Sequence, residues 1–411
     1  MDDKRMPWLT RAARAARPRP GGPLTRAARV AAGALVGGLL AVILLASQSP
    51  AQSVGNLPCP GTAAAPPAPP ASATPPVVPP PDTGPVPPTP TAVLPGVEPL
   101  RPVGAPSTVE VRGEPYHYAY YVNGTRSFLQ GIGYNVAYRA WGWDCAARAA
   151  RYDRDFALMR AAGFNTLVGW DEGEFDDLTL DKAQQYGLGV VFPYDLPPSS
   201  DWSDPTVRRV HQQRVESLVR RYASHPALRL WGPGNEVTWN LADVTSPRAR
   251  AFGEFYAALV ERIHQLDPNH PVIYRDSEDL RFQPVRDALR ARGLEQPWMV
   301  YGTNTFSFHL GEILDNWPAA DFRVPLLVSE FGLVDYPRAE RPEGLARMWG
   351  IVRQHDAYVL GGSVYTWTTE GIERVEGPFT DYVFGLVDGD ARPVDGALDA
   401  LRAALSAPAA P

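Results

Sequence analysis

Between Phe128 and Leu405 the chain alternates eight times between a short apolar run and an amphipathic stretch. The runs are Phe128–Asn135, Phe164–Trp170, Gly189–Leu196, Leu228–Val237, Pro271–Asp276, Met299–Phe306, Pro325–Gly332 and Gly361–Trp367. Brief apolar runs bounded by Gly, Pro and Asp read as buried strands. The stretches between them carry helical spacing. Tyr152, Phe156 and Met159 share one face, Val215, Leu218, Val219 and Tyr222 another, and Phe252, Phe255, Tyr256, Leu259, Val260 and Ile263 a third. Asp204-Pro205 and Ser246-Pro247 mark two helix starts, a capping side chain ahead of proline in the first turn. Eight such strands with intervening helices predict an α/β chain folded as a (β/α)8 TIM barrel, which needs ~250 residues. An open doubly wound sheet would place a glycine-rich phosphate loop after its first strand. The first run continues instead as GIGYN into aromatics.

A parallel barrel keeps its chemistry where the strands end, and two runs end in an acid. LRLWGPGNEV closes on Asn235 and Glu236, at the end of the fourth strand. PLLVSEFG closes on Glu330, at the seventh. Aromatic residues crowd the other strand ends, among them Tyr138, Trp141, Trp143, Trp170, Tyr194, Trp231 and Trp239. Core packing is the alternative for each tryptophan.

The segment before the barrel has a different composition. Residues 1–29 carry eight Lys or Arg against Asp2 and Asp3, so they sum to +6 while the whole chain is −6. Val30–Ser47 is an uncharged apolar run after that basic segment. Its length is near the ~20 residues of a spanning helix and above the ~7–15 of a cleavable signal core. The basic flank predicts a cytoplasmic N-terminus with the remainder outside, although Ala46-Ser47-Gln48-Ser49 also resembles a cleavage site. Pro50–Pro106 then holds 20 of the 44 prolines, which predicts an extended spacer. The expected organisation is a basic cytoplasmic segment (1–29), an anchor or signal core (30–47), a Pro-rich linker (48–106) and a barrel domain (107–411). The acidic body argues against a nucleic-acid partner. The two cysteines, Cys59 and Cys145, allow at most a single bridge, and neither is expected to act in catalysis. No His or Cys spacing points to a metal, and no cofactor is implied. Nothing in the sequence sets the oligomeric state.

GNEV (Gly234–Val237), SEFG (Ser329–Gly332) and YTW (Tyr365–Trp367) resemble, in order and strand placement, the motifs of glycoside hydrolase clan A, the retaining TIM-barrel glycosidases. YVNGTRSFLQGIGYN before the first helix and FGLVDGDARP at Phe384–Pro393 are most similar to family 2 barrels, then to families 5 and 72. The resemblance covers residues 107 to about 405. It implies Glu236 as acid/base, Glu330 as nucleophile, Asn235 as ligand of the sugar 2-hydroxyl and Trp367 as the floor of the −1 subsite. Trp170, Trp231, Asn304 and Tyr194 are further candidates for substrate contact.

The residue types suit that chemistry. Breaking a glycosidic bond takes a protonated acid at the leaving oxygen and a carboxylate at the anomeric carbon, so the two acids must sit in unlike surroundings. Two positions depart from the pattern. Val168 stands where relatives often carry an arginine on strand two, and Phe306 where a strand-six tyrosine is usual; Tyr301 or Arg275 is a candidate substitute. Asp171, Glu172 and Glu370 are expected to bind hydroxyls or water. Three classes fit: a membrane-tethered β-glycosidase acting on extracellular oligo- or polysaccharide, a transglycosylase with the same residues, and a carbohydrate-binding barrel with weakened catalysis.

Overall fold

A computed structural model of the chain describes residues 105–134, 144–241, 243–278, 280–333, 338–368 and 384–407. The apolar run 30–47 and nearly all of the Pro-rich linker lie outside the described residues. Among the described residues no helix is long and apolar enough to cross a membrane.

The fold opens with a small antiparallel sheet, β1 (Val109–Glu114), β2 (His117–Val122) and β3 (Thr125–Ser127). The Asn123-Gly124 pair makes its tight turn between β2 and β3, with φ of 52° and 81°. Positive φ at both central residues matches the right-handed twist of the flanking strands and is what selects Asn-Gly there.

Eight parallel strands follow and close into a barrel: β4 (Leu129–Gly133), β5 (Thr166–Val168), β6 (Gly189–Tyr194), β7 (Leu228–Pro233), β8 (Val272–Ser277), β9 (Met299–Thr305), β10 (Leu326–Phe331) and β11 (Val359–Val364). Each falls in or beside one of the eight apolar runs. The helices are α1 (Cys145–Ala162), α2 (Asp177–Gln185), α3 (Pro205–Tyr222), α4 (Pro247–Leu266), α5 (Gln283–Ala291), α6 (Leu310–Asn316), α7 (Arg341–Gln354) and α8 (Ala397–Ser406), one after every barrel strand. The TIM barrel read from the alternation is therefore the observed fold. Asp204 and Ser246 cap α3 and α4 through their side chains, each with proline in the first turn. The short helix α6, which sequence reading passed over, completes the sixth unit.

One inward residue from every barrel strand enters a single apolar floor: Leu129, Val168, Val191, Leu230, Ile273, Val300, Leu327 and Leu360. Val109, Val111, Tyr118, Tyr120 and Val122 of the small sheet belong to the same cluster. That sheet therefore stoppers the N-terminal end of the barrel. Val109 N–H donates to Asn269 O at 2.9 Å and Tyr118 N–H to Ala357 O at 3.0 Å, both in loops that precede barrel strands.

A buried polar chain pins the start of the sheet to this end. Ser107 Oγ lies 2.6 Å from Leu228 O and 2.8 Å from His270 Nε2, and His270 Nδ1 lies 2.7 Å from Asp267 Oδ2. Asp267 also accepts Trp231 Nε1–H at 2.8 Å and Asn269 N–H at 3.0 Å. Ser107, His270 and Asp267 are sealed from solvent, which makes the set a structural latch. Cys145, at the start of α1, is disulfide-bonded, as the sequence reading allowed.

His270→Ala leaves Asp267 and Ser107 each short of a buried partner and should destabilise the fold by about 2–4 kcal/mol. Equilibrium denaturation measures this as a lowered midpoint. A change under about 0.5 kcal/mol would show that the latch contributes nothing.

Candidate active site

The C-terminal ends of the strands gather two glutamates around one amide. Asn304, near the end of β9, directs Nδ2 at Glu236 Oε1 (3.0 Å), Glu330 Oε1 (3.0 Å) and Asn235 Oδ1 (3.1 Å). Its own Oδ1 accepts the Ser329 hydroxyl at 2.7 Å, which fixes the amide with its nitrogen toward the acids. Two oxygens each 3.0 Å from one nitrogen can be no farther apart than twice that distance.

Local backbone brings these groups in. Gly234 and Glu236 both have positive φ, 78° and 51°. Left-handed backbone is costly for a glutamate, and here three contacts hold it. Glu236 N–H donates to Arg275 O at 3.0 Å, and Glu236 O accepts the backbone and side-chain N–H of Asn240 at 3.2 and 2.7 Å. Thr238 then ties the loop to β8 through the Tyr274 hydroxyl and the Asp276 carboxylate. On β10 the ladder slips register between Val328 and Glu330, so that Ser329 and Glu330 both reach Asn304.

Glu330 receives a second donor, Trp170 Nε1–H, at 2.6 Å. Trp170 follows β5 and crosses the end of β4, where only a glycine leaves room. A Cβ on Gly133 would stand 2.6 Å from Trp170 Cη2. Tyr365 packs edge-on against Trp170, ring centres 5.3 Å apart, and also against Phe306 and Phe384.

The electrostatics of the two acids diverge. Burial pushes both carboxyls up, and the charge of Glu330 pushes Glu236 further. The Arg275 guanidinium and the Asn304 amide draw both carboxyls back down, and the Trp170 N–H draws down Glu330 alone. Glu236 therefore holds its proton more tightly than Glu330. At the rim, burial raises Glu172 to about 7 and Asp195 to about 6, and Glu172 accepts Asp195 N–H at 3.0 Å. Asp171 caps the short turn after it through Gly173 N–H.

Asn235, Glu236, Asn304, Glu330 and Trp170 are thus brought together, with Asn304 and Trp170 bonded to the acids themselves. Three other candidates lie apart from this cluster. Trp231 points away from the mouth, its indole N–H on Asp267 beyond the far end of α4. Tyr194 faces the helical layer, with its hydroxyl 2.9 Å from His211 Nδ1 on α3. Both lie on strands at positions of outward parity, since Val191 and Leu230 point inward. Trp367 is sealed from solvent, its indole nitrogen without a partner among the described residues. It offers no open face at the mouth, and Tyr365 is the partly exposed aromatic of that strand end. Of the candidate substitutes, Tyr301 also faces outward, stacked 5.1 Å from Trp317, whereas Arg275 lies inside the barrel. Tyr138, Trp141, Trp143 and Glu370 lie outside the described residues.

The profile of glycosyl hydrolases family 2, TIM barrel domain, matches residues 177–383. The chain belongs to that family. It is 24% identical over 226 residues to a β-galactosidase of Lactococcus lactis, covering 53% of this chain and 20% of that protein. It is 23% identical over 229 residues to the β-glucuronidase of Rattus norvegicus, covering 51% and 32%. The chain thus spans a third or less of these curated relatives. Among solved structures, a β-D-glucuronidase of Dictyoglomus thermophilum superposes with a TM-score of 0.56 at 19% identity, over 73% of this chain and 54% of that one. A β-glucuronidase of Bacteroides uniformis gives 0.57 at 18%, over 72% and 37%. These two likenesses show the barrel fold.

Trp170→Phe keeps the ring and removes the donor to Glu330. A charge-assisted hydrogen bond of about 1.5–3 kcal/mol favours the ionised carboxyl, so its loss raises the Glu330 pKa by ~1–2 units. The acidic limb of kcat/KM for an aryl β-glycoside should move up in pH by that amount. An unmoved limb would show that the Trp170 contact does not control this carboxyl.

Proposed function

We propose that the chain is a retaining β-glycoside hydrolase, with Glu236 as acid/base and Glu330 as nucleophile. The observation that carries the reading is the shared Asn304 amide. It brings one oxygen of each carboxyl within twice 3.0 Å of the other, an approach that suits the about 5–5.5 Å carboxyl separation of retaining enzymes better than the about 6.5–9.5 Å of inverting ones. Membership of family 2 and similarity to a β-galactosidase and a β-glucuronidase support it.

In the first half-reaction, the protonated Glu236 gives its proton to the glycosidic oxygen as the C–O bond breaks. The Glu330 carboxylate attacks the anomeric carbon from the opposite face and forms a glycosyl ester. In the second, the Glu236 carboxylate takes a proton from water, and the hydroxide oxygen attacks the same carbon. The ester bond breaks and Glu330 leaves as carboxylate. Two inversions give net retention. Asn235 lies beside the acid on the amide that orders the pair, in place to hydrogen-bond a sugar 2-hydroxyl.

The substrate is a β-linked sugar of an oligo- or polysaccharide. The apolar run Val30–Ser47 behind a basic flank, and the proline tract, support a barrel held outside the cytoplasmic membrane on a spacer. The disulfide at Cys145 supports the same oxidising side.

Glu330→Ala should lose about 10^4-fold or more in activity and be rescued by azide as the glycosyl azide of inverted configuration. Glu236→Ala should keep turnover of aryl glycosides with good leaving groups, and azide should give the retained product. An inverted first product from the unmutated enzyme would contradict both roles. On fractionation, the full chain should stay with membranes, exposed to protease added from outside. Recovery of a soluble form beginning near residue 50 would show cleavage instead.

A further inference from the structure

Arg275 occupies an unusual place. It stands on β8, one inward step above the floor residue Ile273, and is sealed from solvent. Its neighbour on β9 is Gly302, where a Cβ would meet Arg275 Cγ at 3.0 Å and Ser329 Oγ at 2.6 Å. The guanidinium crosses this space to the second barrel strand. Nη1–H donates to Gly169 O at 2.7 Å and Nη2–H to Gly232 O at 3.3 Å, while Nε finds no acceptor among the described residues.

Two backbone carbonyls are neutral. Among the described residues no carboxylate makes an ion pair with Arg275 within 4 Å, whereas the buried Arg148, Arg151 and Arg341 pair with Asp176, Asp155 and Asp395. A buried charge without a counter-charge is strongly disfavoured. The anions that feel this one are Glu330 and Glu236, with the Tyr256 hydroxyl the other titratable group beside it. Asp276 and Tyr301, which point outward from β8 and β9, are the other titratable groups whose charge couples to Glu236. With one proton between the two glutamates, as the acid and nucleophile roles require, a single negative charge would remain to balance Arg275. Gly169 follows Val168, so the guanidinium ends beside the strand where relatives often carry their own arginine.

We propose that Arg275 is the positioning residue that keeps Glu330 ionised, its positive charge delivered from the fifth barrel strand to the end of the second. Gly302 leaves the room this delivery requires. The proposal rests on the reading of Glu330 as nucleophile.

The test uses the full chain with R275Q and R275K. Turnover of an aryl β-glycoside and difference infrared spectra of the carboxyl carbonyl stretch are both followed against pH, with E330Q assigning the Glu330 band. R275Q should move the acidic limb of kcat/KM up by at least about one pH unit, a tenfold loss below it, and should leave Glu330 protonated at neutral pH. R275K should keep the limb within a few tenths of a unit. An even fall in kcat with an unmoved limb and an ionised Glu330 in R275Q would overturn the proposal. If R275Q does not fold, E236Q decides, since it retains Arg275 and removes the competing carboxyl. Glu330 must then be ionised at about pH 6, and a protonated Glu330 would overturn the proposal. If the unmutated chain turns over no β-glycoside, the enzymatic reading fails, while the infrared titration still decides the charge of Glu330.

Discussion

The mouth of this barrel depends on one nitrogen. Asn304 Nδ2 holds Glu236, Glu330 and Asn235 in a single cluster, and a primary amide has only two protons for three acceptors. The arrangement suits a pair that passes one proton through its cycle, because the amide can favour whichever carboxyl is ionised. Ser329 fixes the amide from behind, the register slip on β10 admits both Ser329 and Glu330, and the left-handed turn at Glu236 closes the distance from β7. The slip and the turn are departures from regular strand geometry, and all three features end at the same amide.

Below that amide the barrel changes from polar to apolar in one layer. Eight aliphatic side chains and the small N-terminal sheet pack together at the bottom, and the carboxyls above them are buried. Burial is accordingly the largest influence on both acids. What separates them is local: an indole N–H acts on Glu330, and the charge of Glu330 acts on Glu236. Unlike surroundings for two like groups are what acid/base chemistry at neutral pH requires.

The alternation of strands and helices was legible in the sequence, and so were the two glutamates, because an acid ending an apolar run is conspicuous. The aromatic candidates were less legible, because closeness to a strand end does not say which face a side chain takes. Parity settles it once one inward residue is known. Leu230 inward sends Trp231 outward, Val191 inward sends Tyr194 outward, and Val300 inward sends Tyr301 outward, while Ile273 inward keeps Arg275 inside. That signal lay in the sequence for Arg275 and Tyr301, and choosing between them needed only the floor layer. The role of Asn304 was not legible, since it rests on a slip in a neighbouring strand that no residue pattern marks. Nor was the sealing of Trp367, which depends on how the chain folds back after β11.

The central claim is that Glu330 attacks the sugar, and covalent trapping tests it most directly. A 2-deoxy-2-fluoro-β-glycoside with a good leaving group slows release of the ester more than its formation, so that the glycosyl-enzyme accumulates. Intact-protein mass and peptide mapping of the inactivated chain should show one fluorosugar, on the peptide containing Glu330, with reactivation when an acceptor is supplied. A label on Glu236, or steady turnover with no covalent adduct while the fold remains intact, would contradict the account.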